Sequence, residues 1–265
     1  MPLKLVSLLP HSPLLIPEIG QANYNLLAKT NKAYNYLEQK IEEQTINTLI
    51  IVSPHGKAKK HAFTINVAPE MLINLKDFGF IPPKTVITGD ALLADNIQAN
   101  LRPEWNLELI SENILDNGSA VPLYLLQTHN PKLKTVIIYP PEESERIELI
   151  NFGQKLGKIL NKDEQNIALI ASGDLSHRLK KKSPAGYSPK GAKFDNKLIE
   201  YLSDSSNAID NILQIDQNLI TAASECGLKP LLIILGAIKD KNWTAKILAY
   251  QTDFGVGYLS LDFLI

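Results

Sequence analysis

Short runs of branched apolar residues alternate along this chain with longer stretches in which apolar positions recur every three or four residues. Leu3–Leu9, Thr48–Val52, Thr135–Tyr139 and Ile167–Ala171 are near-continuous apolar runs, the pattern of strands buried on both faces of a sheet, and each runs into Pro, Ser or Gly. Ala62–Val67 reads as a further strand, and Ala245–Tyr250 with Gly255–Leu261 as a C-terminal hairpin. Between strands, Gln21–Glu43 places Leu26, Leu27, Ala33, Tyr34, Leu37 and Ile41 on one helical face. Ile147–Leu160 and Ala192–Leu202 repeat that spacing, and Asp216–Lys239 reads as two helices meeting near Gly227, with Pro230 opening the second. The alternation predicts an α/β fold: a single domain over residues 1–265, with a central mixed, largely parallel sheet flanked by helices.

Composition narrows the class of partner. The 265 residues carry 27 Lys plus Arg against 28 Asp plus Glu, a formal net charge of -1, which lacks the basic excess of a nucleic-acid or acidic-membrane binder. The most apolar later stretch, Leu231–Ile238, is under half of the roughly 20 residues that a membrane-spanning helix needs. The opening run Leu5–Leu9 closes at Pro10 with only Lys4 before it, so a first strand is expected there rather than a signal peptide. With one cysteine, Cys226, no intrachain disulfide can form, and a reducing, cytoplasmic setting is expected.

Histidine placement carries the chemical information. Of five histidines, His11, His55 and His177 each lie a few residues beyond the end of an expected strand. In open α/β sheets that edge is where loops converge and ligands bind, so residues distant in sequence can share one site. Two neutral imidazoles and a carboxylate form a ligand set for non-haem Fe(II), and the same set can hold zinc or another divalent ion. Glu225 is the candidate carboxylate, an acid in a small, apolar setting before an apolar helix, where an unpaired charge is costly unless a cation holds it. His61 and His129 read as solvated loop residues, and the basic run Arg178–Lys182 as a solvated loop. No glycine-rich nucleotide fingerprint follows a strand, and neither a Gly-x-Ser-x-Gly elbow nor a Cys-x-x-Cys pair is present.

Four segments occur in a recognisable order: Pro10-His11-Ser12-Pro13-Leu14-Leu15-Ile16-Pro17-Glu18-Ile19-Gly20, Ser53-Pro54-His55-Gly56, Gly173-Asp174-Leu175-Ser176-His177 and Glu225-Cys226-Gly227. Together they resemble the catalytic chains of the class III extradiol ring-cleavage dioxygenases, a superfamily that includes the Memo-like proteins. The resemblance implies Fe(II) held by His11, His55 and Glu225, with His177 as the acid/base histidine and Asp174 orienting it or approaching the metal. It further implies a small aromatic diol and O2 as substrates, and it leaves room for a homo-oligomer or a companion subunit.

Two departures open an alternative. Many relatives carry Asp-His-Gly where this chain has Asp116-Asn117-Gly118, and an amide at Asn117 can donate a hydrogen bond but cannot carry a proton. Memo-like members place a cysteine in the region of the third ligand, followed by glycine and then proline, which Cys226, Gly227 and Pro230 match. Adjacent helical residues point about 100° apart, so Glu225 and Cys226 are alternatives for one ion. Glu225 is the expected ligand. Cys226 in its place implies a Memo-like metal-binding or redox accessory protein without ring cleavage, with a radical enzyme and a companion protein as partners.

Overall fold

The computed structural model describes residues 2–83, 86–127, 130 and 132–265. Its strands are β1 (Leu3–Leu9), β2 (Thr48–Val52), β3 (Phe63–Asn66), β4 (Glu70–Leu72), β5 (Val86–Gly89), β6 (Leu107–Ile110), β7 (Lys134–Tyr139), β8 (Ile167–Ser172), β9 (Thr244–Gln251) and β10 (Tyr258–Leu264). The helices are α1 (Pro17–Gly20), α2 (Ala28–Glu43), α3 (Ala91–Leu101), α4 (Asn117–Gln127), α5 (Arg146–Leu160), α6 (Pro189–Leu202), α7 (Ala208–Leu213), α8 (Gln217–Ala223) and α9 (Leu228–Ala237). All strands join one mixed sheet in the order β4-β5-β7-β2-β8-β1-β10-β9, with β3 and β6 attached beside β7. The expected α/β architecture is the observed one.

The centre of the sheet is parallel, β7-β2-β8-β1, and these are the strands that the sequence marks as near-continuous apolar runs. Successive side chains on a strand point to opposite faces, so each such run must be covered twice. Ile50 and Val52 of β2 and Leu169 of β8 enter the cluster packed under α3, α5, α6 and α9. Leu49, Ile51 and Ile170 enter the opposite cluster, with Tyr34, Leu37 and Ile41 of α2 and Val121 and Leu123 of α4. No helix among the described residues is long and apolar enough to cross a membrane.

Several elements differ from expectation. Residues Gln21–Leu27 form 3-10 turns before α2 begins. The C-terminal hairpin is longer and starts later on its return arm than expected, with β10 beginning at Tyr258 after a turn in which Gly255 has φ 74°. The strands β4, β5 and β6 and the helices α3, α4 and α7 have no counterpart in the sequence reading. These strands have three or four residues each, and β4 and β5 alternate exposed and buried positions, which leaves little periodic signal.

Parallel pairing is what positions the site. Leu9 of β1 lies opposite Ser172 of β8, and Val52 of β2 lies opposite Ala171, so three strand ends finish at one level. The loops that carry His11, His55 and Asp174 leave from there.

Candidate metal centre

His11 and His55 meet although 44 positions separate them, with Nε2 atoms 3.0 Å apart and rings nearly perpendicular. The Cys226 thiol stands 3.7 Å from His11 Nε2, and the three donor atoms all lie within 4.8 Å of one another. Ligand bonds of about 2.0–2.3 Å in a tetrahedral arrangement separate donors by roughly 3.5 Å. The 3.0 and 3.7 Å spacings suit one ion.

Each donor is held from behind. The Tyr34 hydroxyl donates to the Pro10 carbonyl at 2.6 Å, just before His11. His11 is 3% exposed; its amide donates to Asp174 Oδ1 and its Nδ1 lies 2.9 Å from Ser172 Oγ. The Asp174 carbonyl accepts from the amides of Cys226 and Gly227, and the Asp174 amide donates to the Cys226 sulfur at 3.3 Å. This crossing depends on Gly173. A Cβ on Gly173 would come within 2.2 Å of Gly227 Cα, so only a bare backbone lets the two loops pass.

The His55 loop rests on Asp116. That carboxylate accepts from the Ser53 hydroxyl at 2.6 Å, from the Ser119 amide and hydroxyl, and from the Tyr139 hydroxyl at 3.1 Å. Ser53 Oγ in turn accepts from the His55 amide at 3.4 Å. Burial, and then the neighbouring His11, lower the His55 pKa, which favours the neutral imidazole that a metal requires. Burial and then the Asp174 charge push the Cys226 thiol up.

Glu225 is not brought to the histidines. Its Oε2 accepts from the Leu228 amide at 2.6 Å, at the start of α9, and the residue lines a separate cleft of about 820 Å³ together with Glu142, Glu148 and Lys229. Burial raises its carboxyl to about 7, and backbone amides and Lys229 act in the opposite direction. The cause of the departure is local. Ser224 closes α8 in the left-handed region at φ 55°, so residues 224–227 form a turn, and the helical step between neighbours does not describe how Glu225 and Cys226 are aimed.

His177 lies beside the cluster. Its Nδ1 is 2.7 Å from the Ser224 carbonyl, and its Nε2 is 3.8 Å from Asp174 Oδ2. A carbonyl only accepts, so Nδ1 carries the hydrogen and Nε2 is the nitrogen free to take or return a proton. Asp174 Oδ2 also lies 4.0 Å from His11 Nε2, so Asp174 stands between the two histidines. Asn117 is the first residue of α4, between Asp116 and Gly118. His61 is exposed, 3.9 Å from Glu143, and His129 lies outside the described residues. Lys181 and Lys182 of the basic run are exposed. The supporting contacts of Ser172, Asp116, Tyr34 and Tyr139 join distant segments and are not announced by the sequence; the one local signal is Ser53 and Ser172 at strand ends.

Comparison with known proteins agrees with this architecture. The family model described as the catalytic LigB subunit of aromatic ring-opening dioxygenase matches residues 5–260. Protein CA_C1420 of Clostridium acetobutylicum is 32% identical over 261 residues, covering 95% of this chain and 55% of that protein. The chain thus spans about half the length of the curated relative it matches. The crystal structure of uncharacterized protein JW3007 from Escherichia coli K12 superposes with a TM-score of 0.69 at 18% identity, over 97% of this chain and 98% of that one, which is a likeness of fold. With its three central strand ends converging on one cluster of donor side chains, and with the family model matched from residue 5 to residue 260, this chain belongs to the LigB family, that of the catalytic subunit of aromatic ring-opening dioxygenase.

Proposed function

We propose that this chain is a Memo-like metal-binding redox protein of the LigB family, with one divalent ion held by His11, His55 and Cys226 in a unit spanning residues 1–265. The observation that carries the proposal is the division of labour at the third position. The Cys226 sulfur faces His11 Nε2 while the Glu225 carboxylate is occupied by the Leu228 amide. Two imidazoles and a thiolate suit zinc as well as iron. Bound iron would supply one-electron chemistry, and bound zinc Lewis acidity. Around that position, Asp174 fixes the His11 and Cys226 backbones, and His177 offers Nε2 as a proton acceptor.

Ring opening of an aromatic diol with O2 is the second reading, favoured by the description of the family and by His177 beside the cluster. Asn117 weighs against it, because an amide cannot carry a proton where many relatives carry a histidine.

Anaerobic loading with Fe(II), followed by a panel of catechols and an oxygen electrode, separates the two. One ion bound per chain with no oxygen uptake across the panel supports the proposal. Oxygen uptake coupled to a ring-opened product, lost in His177→Ala, replaces it with the second reading.

A further inference from the structure

Pro122 sits inside α4, four residues after Gly118. In an α-helix the carbonyl of residue i accepts from the amide of residue i+4, and proline has no amide hydrogen. The Gly118 carbonyl therefore lacks its helical donor. The structure gives it another: the hydroxyl of Ser172, fully buried at the end of β8, at 2.5 Å.

That bond determines what Ser172 can offer on its other side. A hydroxyl has one hydrogen, and a carbonyl oxygen can only accept, so the hydrogen points to Gly118. What remains on Ser172 Oγ is lone-pair density, 2.9 Å from His11 Nδ1. For this contact to be a hydrogen bond, Nδ1 must carry the hydrogen. A neutral imidazole has only one N–H, so His11 Nε2 is left as a bare lone pair.

From this chain of contacts we infer that Ser172 is a positioning residue, oriented by the carbonyl that Pro122 leaves free, which fixes His11 as its Nδ1–H tautomer and aims the Nε2 lone pair into the metal centre. His55 follows from the same logic. Its Nε2 lies 3.0 Å from His11 Nε2, and since His11 presents a lone pair there, the hydrogen belongs to His55 Nε2. The two histidines are thus unlike in the metal-free chain. His11 is ready to bind, whereas His55 holds a proton on the atom it would use, and that proton must pass to His55 Nδ1 or to water when an ion enters. The site is asymmetric before loading.

Only the metal-affinity consequence rests on the proposed metal centre; the tautomers are properties of the metal-free chain. Long-range 1H–15N correlation spectra of 15N-histidine-labelled, metal-free protein, recorded where the imidazoles are neutral, report which ring nitrogen of each histidine carries hydrogen. His11 should show Nδ1–H and His55 Nε2–H. In Ser172→Ala the His11 signals should move to a mixture of tautomers, and in Ser172→Thr, which keeps the hydroxyl, they should stay. Loss of that acceptor should weaken Fe(II) or Zn(II) binding roughly 10–100-fold, the usual scale for a partner that orients a ligand, and Ser172→Thr should recover most of it. Nε2–H on His11 in the parent protein, or an unchanged His11 tautomer in Ser172→Ala, overturns the inference. Nδ1–H on His11 in a chain that binds no metal at these residues supports it and refutes the proposed metal centre instead.

Discussion

Glu225 and Cys226 are neighbours in the chain, yet their side chains meet different partners. The sulfur of Cys226 looks onto His11 at 3.7 Å, and the carboxylate of Glu225 caps the Leu228 amide at 2.6 Å beside a different cleft. By accepting from the Leu228 amide, the Glu225 carboxylate satisfies one of the free donors in the first turn of α9.

Asp174 acts on two donors through different atoms. Its carboxylate accepts from the His11 amide, and its backbone groups hold Cys226 and Gly227. Asp174→Asn keeps an acceptor for the His11 amide and should bind metal within a few-fold of the parent protein. Asp174→Ala should weaken binding about tenfold or more while remaining folded. Competition with a chromophoric chelator gives both constants, and equal affinities in the two variants contradict this role.

The crossing of the two site loops depends on Gly173. An alanine there places Cβ within 2.2 Å of Gly227 Cα, against backbone that cannot rotate away. Gly173→Ala should cost about 1–3 kcal/mol of stability, as overpacking does, and should weaken metal binding as well. Urea denaturation and a metal titration are the two readouts, and a variant unchanged in both removes the close approach from the account.

Asp195 supplies a pH dependence outside the centre. It is fully buried and accepts from the Ser176 amide and from the Tyr250 hydroxyl at 2.7 Å, yet burial prevails and raises its carboxyl from 3.8 to about 6. Between those values the folded chain holds a proton that the unfolded chain has released, so this group's contribution falls as pH rises from about 4 to about 6. A shift of this size corresponds to about 3 kcal/mol at most. Asp195→Asn cannot ionise, so its stability relative to the parent protein should rise across that window and then level off. Chemical denaturation of both proteins at about pH 4, 5, 6 and 7 tests this, and a flat difference contradicts it.

What the sequence made legible follows from how local each signal is. β1, β2, β7 and β8 are buried on both faces, so their apolar runs announce themselves, and the loops after β1, β2 and β8 carry the residues expected to converge. The pairing of His11 with His55 was legible for that reason. Leu72 and Leu109 lie on short strands and are more than a third exposed, and runs with so little apolar burial read as loop. The choice between Glu225 and Cys226 depends on the left-handed turn at Ser224, which no residue spacing announces. Ser172 and Asp116 were hidden for another reason: serines and aspartates are common in loops, and only the fold reveals that Gly118, 54 positions from Ser172, supplies its partner.

The most direct test of the central claim is a metal titration of four proteins in parallel: parent, Cys226→Ala, Glu225→Gln and His55→Ala. Co(II) serves as the probe because thiolate ligation adds a charge-transfer band. One ion per chain with that band is expected in the parent protein and in Glu225→Gln, with loss of the band and strongly weakened binding in Cys226→Ala, and loss of stoichiometric binding in His55→Ala. Retained tight binding in Cys226→Ala, together with its loss in Glu225→Gln, would contradict the account and return the third ligand to the carboxylate.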